Sequence, residues 1–178
     1  MYHLFIVLIM TMQAVPEETI YEFSDMSTMK NWYIIDDGVM GGLSKGHLHI
    51  SEDGKGIYSG RVTTENNGGF SSLRYRLNKR SVGEYKSIAL RVKGDGKLYQ
   101  FRIKSDRNQR YSYVAYFETN GDWETITLPF KSFRPRFRGY PVNKPNYPGE
   151  DMAEVAFLIG NKVKETFSLE IDKIVLVR

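Results

Sequence analysis

Hydrophobic and polar residues alternate with a period of two along much of this chain. Ile88, Leu90 and Val92 fall on one side of a segment whose other side carries Ala89, Arg91 and Lys93. Tyr99, Phe101 and Ile103 share a face opposite Gln100, Arg102 and Lys104. Successive side chains of an extended strand point to opposite faces, so this rhythm predicts strands with one face in a core and one in water. The same reading predicts strands at Thr19–Phe23, Trp32–Asp36, His47–Ser51, Gly56–Val62, Phe70–Leu77, Ser87–Lys93, Leu98–Lys104, Tyr111–Glu118, Trp123–Leu128, Glu154–Ile159 and Phe167–Val177. In the last of these, Phe167, Leu169 and Ile171 are in phase while Ile174 and Leu176 are not. An extra residue near Asp172-Lys173, a β-bulge, would restore the pattern.

Between the strands stand Asn66-Asn67-Gly68-Gly69, Gly94-Asp95-Gly96 and Asn120-Gly121-Asp122. Asn, Asp and Gly supply the positive φ angles of tight hairpin turns. Parallel strands need crossover helices, and no segment shows helical periodicity. The expected fold is therefore all-β, an antiparallel β-sandwich or jelly roll. Arg134–Asp151 carries Pro135, Pro141, Pro145 and Pro148. Proline cannot donate to a strand ladder, so this stretch reads as a long ordered loop.

Composition adjusts this picture modestly. The 12 Tyr, 10 Phe and 2 Trp strengthen the lean towards sheet. The absence of cysteine excludes disulfides, thiol catalysis, iron–sulfur clusters and cysteine zinc sites. The net charge is only +4, with Lys and Arg scattered among acids, so nucleic acid is not an expected partner. The apolar run Leu4–Met10 is shorter than the roughly 20 residues of a stable membrane span. It has the length of a signal-peptide core, with Ala14 before a cleavage point; the alternative is a buried first strand. Residues 1–16 thus read as a signal peptide and 17–178 as one β-sandwich domain. The expected location is periplasmic or extracellular, or else cytoplasmic or membrane-associated if nothing is cleaved.

Four stretches are more specific. They are Asp36-Asp37-Gly38-Val39-Met40-Gly41-Gly42-Leu43-Ser44 after Trp32; Tyr58-Ser59-Gly60 with Asn67-Gly68-Gly69-Phe70-Ser71-Ser72-Leu73-Arg74; Arg91-Val92-Lys93-Gly94-Asp95-Gly96 with Tyr99; and Trp123, Leu128-Pro129-Phe130, Phe133-Arg134-Pro135 and Phe137-Arg138-Gly139. In these stretches, over about residues 20–178, the chain resembles the NADH:ubiquinone oxidoreductase complex I intermediate-associated protein 30 family. That resemblance implies a galactose-binding-domain-like jelly roll. It also implies a non-enzymatic, chaperone-like protein-binding module, because mitochondrial members are assembly factors that hold membrane-arm intermediates of respiratory complex I. Expected partners are respiratory-chain subunits or another membrane-associated complex. No catalytic residue, metal or cofactor is expected. The alternative is an exported carbohydrate-binding β-sandwich module.

Arg134, Arg136 and Arg138 alternate with Pro135, Phe137 and Gly139, next to Tyr140. Arg and Tyr are the residue types that anchor interfaces, and Arg also forks onto carboxylates. These four are the main candidates for a binding surface; the plainer reading has Phe133 and Phe137 plugging the core while the arginines stay in water. Asp37, Met40 and Arg74 are further candidates, with Asp37 paired either to Arg74 or to loop amides. Gly41, Gly42, Gly68 and Gly69 could cradle an anion through backbone amides or simply serve turns. Asp36, Asp37 and Asp95 are weighed as calcium ligands or paired acids and read more simply as turn residues. His47 and His49 share a strand face without a third ligand, which reads as exposed polar surface and not zinc.

Overall fold

The computed structural model describes residues 17–178, and the run read as a signal peptide lies outside them. The described residues form two antiparallel sheets. The first has six strands, in the order β3 (Lys45–Ile50), β4 (Gly56–Val62), β13 (Glu165–Val177), β6 (Ser87–Lys93) and β9 (Trp123–Pro129), with β1 (Glu17–Glu22) also paired to β13. The second has seven, in the order β11 (Tyr140–Pro141), β10 (Arg134–Phe137), β8 (Ser112–Glu118), β7 (Leu98–Lys104), β12 (Asp151–Ile159), β5 (Ser71–Ser81) and β2 (Trp32–Asp36). Short 3-10 turns are the only helical elements among the described residues. This is the jelly-roll β-sandwich that the alternation predicts.

The inner faces supply the core. Ile88, Leu90, Val92, Leu169, Ile171 and Ile174 meet Tyr99, Phe101, Ile103, Val155, Phe157 and Ile159, and none of these is more than 1% exposed. Removing such side chains from water is the main favourable term in folding. Phe157 holds Phe101 edge to face at 5.1 Å, a geometry that suits the ring quadrupoles.

β13 is long enough to be shared. Its first half pairs with β4 and its second half with β1 along the same edge, while β6 runs along the other. The expected bulge is present: the register with β6 slips between Ile171 and Lys173. The displaced Asp172 accepts an ion pair from Lys55 at 2.6 Å, and its carbonyl accepts the Phe23 amide.

Two expectations are corrected. The three turns read as hairpins are corners between sheets: β4 to β5, β6 to β7 and β8 to β9 each change sheet. A tight reversal needs positive φ wherever it leads, so turn chemistry alone does not say whether the next strand is a partner. The segment from Arg134 is also not all loop. It opens with β10, which pairs with β8, and turns back as β11. Pro135 lacks a donor, yet its carbonyl accepts the Val142 amide at 3.1 Å. Near a sheet edge that is enough.

Candidate functional site

The outward positions of the seven-stranded sheet line up into rows. Tyr33, Arg74, Ala156, Arg102, Val114 and Arg134 stand side by side across six strands. The next row holds Ile35, Ser72, Leu158, Gln100 and Tyr116. On the other side Arg76, Glu154 and Lys104 are in register, and Arg136 follows two residues after Arg134. Six cations therefore share this part of the sheet with Glu154. The sequence hides the concentration because the cations come from three separate strands.

Glu154 is 6% exposed and fully engaged. It accepts the Tyr33 hydroxyl at 2.6 Å and lies 3.5 Å from Arg74 Nη1 and 3.9 Å from Lys104 Nζ. Burial, and then the Glu154 carboxylate, push the Tyr33 phenol above its ordinary value, so it stays a donor. Arg76 lies over the Tyr33 ring at 4.3 Å.

Arg102 has no such counter-charge among the described residues. Its Nε and Nη2 donate to Gln100 Oε1 at 3.0 and 2.6 Å. Burial pushes its guanidinium down to about 10, and the positive charges of Arg74 and Arg136 add to the shift against Tyr116. It remains charged at neutral pH. Arg136 is the neighbour on β10. Its Nη1 donates to the Gly139 carbonyl at 3.0 Å, its guanidinium sits 5.9 Å from the Tyr116 ring, and its Nε is buried without a partner in the protein.

At the sheet edge β10 and β11 form a two-residue hairpin. Phe137 pairs with Tyr140, and Arg138 and Gly139 between them have φ of 52° and 84°. Positive φ at both positions is the type I′ pattern. Tyr140 is 76% exposed, and Arg138 lies 5.5 Å from the Phe137 ring. Phe133 is fully buried, as the plainer reading has it, but Phe137 is 37% exposed and fills no core position. A left-handed Arg is strained where Asn is tolerated, so Arg138→Asn is expected to raise stability by about 0.5–1 kcal/mol in urea unfolding.

Of the candidate residues, Arg74, Arg134 and Arg136 thus share one face, with Arg138 and Tyr140 on its rim. Asp37 and Met40 do not join them. They belong to a 3-10 turn, Asp37–Met40, after β2. Asp37 is fully buried and takes the loop amides instead of Arg74. Its carboxylate accepts the Gly69 amide at 2.6 Å, the Ser44 amide at 2.9 Å, the Phe70 amide at 3.3 Å and the Ser44 hydroxyl. Burial works against the charge, but these hydrogen bonds, the Ser44 hydroxyl foremost, outweigh it and hold the carboxyl below its usual range. The glycine turns do cradle an anion, and it is the chain's own: a Cβ on Gly42 or Gly68 would lie 2.2 or 2.5 Å from the Asp37 carboxylate oxygens.

The other acids are also engaged. Asp36 accepts the Ser71 hydroxyl at 2.6 Å and the Gly46 amide at 3.1 Å. Asp95 accepts the Tyr99 hydroxyl, the Lys97 ammonium and the Ser168 amide. Among the described residues no group of three or more His, Asp or Glu is placed to hold a metal, and His47 and His49 are exposed. No described helix is long and apolar enough to cross a membrane.

The pattern of the complex I intermediate-associated protein 30 family matches residues 21–171. The chain belongs to this family. Its mouse relative, the mitochondrial complex I intermediate-associated protein 30, is 23% identical over 86% of this chain and 54% of its own length. An uncharacterised Schizosaccharomyces pombe protein is 31% identical over 64% of this chain and 63% of its own. The chain thus spans between about half and two thirds of the curated relatives it matches. Among solved structures, the family 11 carbohydrate-binding module of a Clostridium thermocellum cellulosomal cellulase superposes with a TM-score of 0.66. It is 22% identical, over 93% of this chain and 96% of that one, which establishes a common fold.

Arg102, Arg76, Lys104, Tyr33 and Glu154 are the residues of this face that sequence reasoning did not single out. Their alternation was visible. What was missing was the strand order β10-β8-β7-β12-β5-β2, which brings them together.

Proposed function

We propose that this family member is a non-catalytic binding module that docks a protein partner on the outer face of its seven-stranded sheet, as an assembly factor would. The observation that carries this is the row of cations around Arg102, which the single acid Glu154 does not neutralise. Excess charge of one sign steers and selects an oppositely charged partner. The mouse relative's name supports a partner from respiratory complex I assembly.

The test is affinity purification from the native host, with quantification of respiratory-chain subunits. The wild-type protein is expected to recover them, and an Arg134→Glu, Arg136→Glu double variant to lose them while folding normally. Equal recovery by both proteins would remove the face from the interaction. The carbohydrate-binding alternative draws on the likeness to the family 11 module. It predicts retarded migration in gels containing mixed-linkage β-glucan, which the protein-docking reading does not.

A further inference from the structure

We infer that Arg102, flanked by Arg74 and Arg136, is the seat for a carboxylate from an acidic protein segment. This rests on the docking reading and gives it a point of attachment. Arg102 lies on the middle of the face, with the small Ala156 on one side and Val114 on the other in the same row. Gln100 occupies its Nε and Nη2, and Nη1 has no acceptor among the described residues. Arg136 adds a buried donor without a partner in the protein, its Nε. A half-buried cation beside two like charges is costly unless an anion completes it. Glu154 cannot, because Tyr33, Arg74 and Lys104 already share it. Guanidinium donors match the paired oxygens of a carboxylate, which makes that group the fitting complement.

The covered Tyr33 ring favours a peptide over a sugar. A sugar ring stacks on an open aromatic face. Here the Tyr33 ring is covered by Arg76 at 4.3 Å, while the Tyr116 ring, 46% exposed, has Arg136 5.9 Å from its centre. Asp and Glu side chains need only guanidinium donors left without an acceptor, such as Arg102 Nη1.

The experiment is fluorescence anisotropy with a labelled Asp/Glu-rich peptide at low salt. The wild-type protein should bind it, and affinity should fall steeply as salt is added. Arg102→Met should weaken binding about tenfold or more, whereas Lys131→Met, away from the face in the 3-10 turn after β9, should not. Arg102→Met should melt at or above the wild-type temperature, since it removes an uncompensated charge. Undiminished peptide binding by Arg102→Met overturns the seat. So does tighter binding of polygalacturonate than of the peptide, which would assign the same donors to an acidic polysaccharide. Loss of subunit recovery in the Arg134→Glu, Arg136→Glu variant alongside undiminished peptide binding by Arg102→Met would leave the docking face standing and remove only the seat.

Discussion

Asp37→Asn is expected to lower the free energy of unfolding by about 2–4 kcal/mol, the scale for disrupting a buried, charge-assisted hydrogen-bond set. Three amides and one hydroxyl converge on this carboxylate from two separate turns. Asparagine would turn an NH2 group towards donors, leaving at least one of them unmatched. The site joins the end of β2 to the starts of β3 and β5, so the loss should be felt in both sheets. Urea unfolding followed through buried Trp32 would measure it. The pH dependence gives a second check. The folded carboxyl lies below its ordinary value, so the ionised form favours folding. That contribution is complete above the unfolded value of about 3.9 and is lost as pH falls through the lower folded value. The gap between wild type and Asp37→Asn should therefore be constant near neutrality and narrow progressively below about pH 4. A gap that is unchanged at acid pH would mean the carboxylate's charge is not what holds the turns.

Gly60→Ala is expected to cost about 3 kcal/mol, although it adds a single methyl group. Gly60 faces Gly46 across the β3–β4 pair. A Cβ there would lie 2.0 Å from the Lys45 carbonyl oxygen and 3.0 Å from the Gly46 Cα, so backbone and not a mobile side chain must move. The displaced strand also carries the Gly46 amide that Asp36 binds. Gly83→Ala is the comparison. Its nearest neighbour is Ser81 Oγ at 4.0 Å, and its effect should stay within about 0.5 kcal/mol. Matched melting temperatures for the two variants would show that close strand approach is not why glycine stands at position 60.

The strands were legible where one face is buried. Trp32–Asp36, Gly56–Val62, Ser87–Lys93 and Leu98–Lys104 have the bounds that alternation gives them. β10 was not, because Pro135 signals the donor it lacks and not the acceptor it keeps. Strand partners were not legible either. Gly94-Asp95-Gly96 has the chemistry of a reversal, but the next strand joins the other sheet because long-range pairing with β12 and β8 decides its place. The same non-locality explains the site. Arg134, Arg136 and Arg74 were recognisable by type, whereas Arg102 is informative only for what its neighbours on other strands fail to supply. Asp37 was legible as a hydrogen-bonded acid, and three-dimensional contacts were needed to choose the amides over Arg74.

The position of β12 and β13 bears on how the molecule is made. They are the last two strands along the chain, yet each lies inside its sheet. During synthesis β5 and β7 emerge before the strand that separates them, and β1, β4 and β6 all precede β13. Only pairs that need neither β12 nor β13, namely β3–β4, β2–β5, β7–β8, β6–β9, β8–β10 and β10–β11, can form before them. Such long-range pairing is slow and leaves unpaired edges exposed on the ribosome. Neither sheet can therefore close until β12 and β13 are free of the exit tunnel, and the edges those strands cover stay unpaired until then.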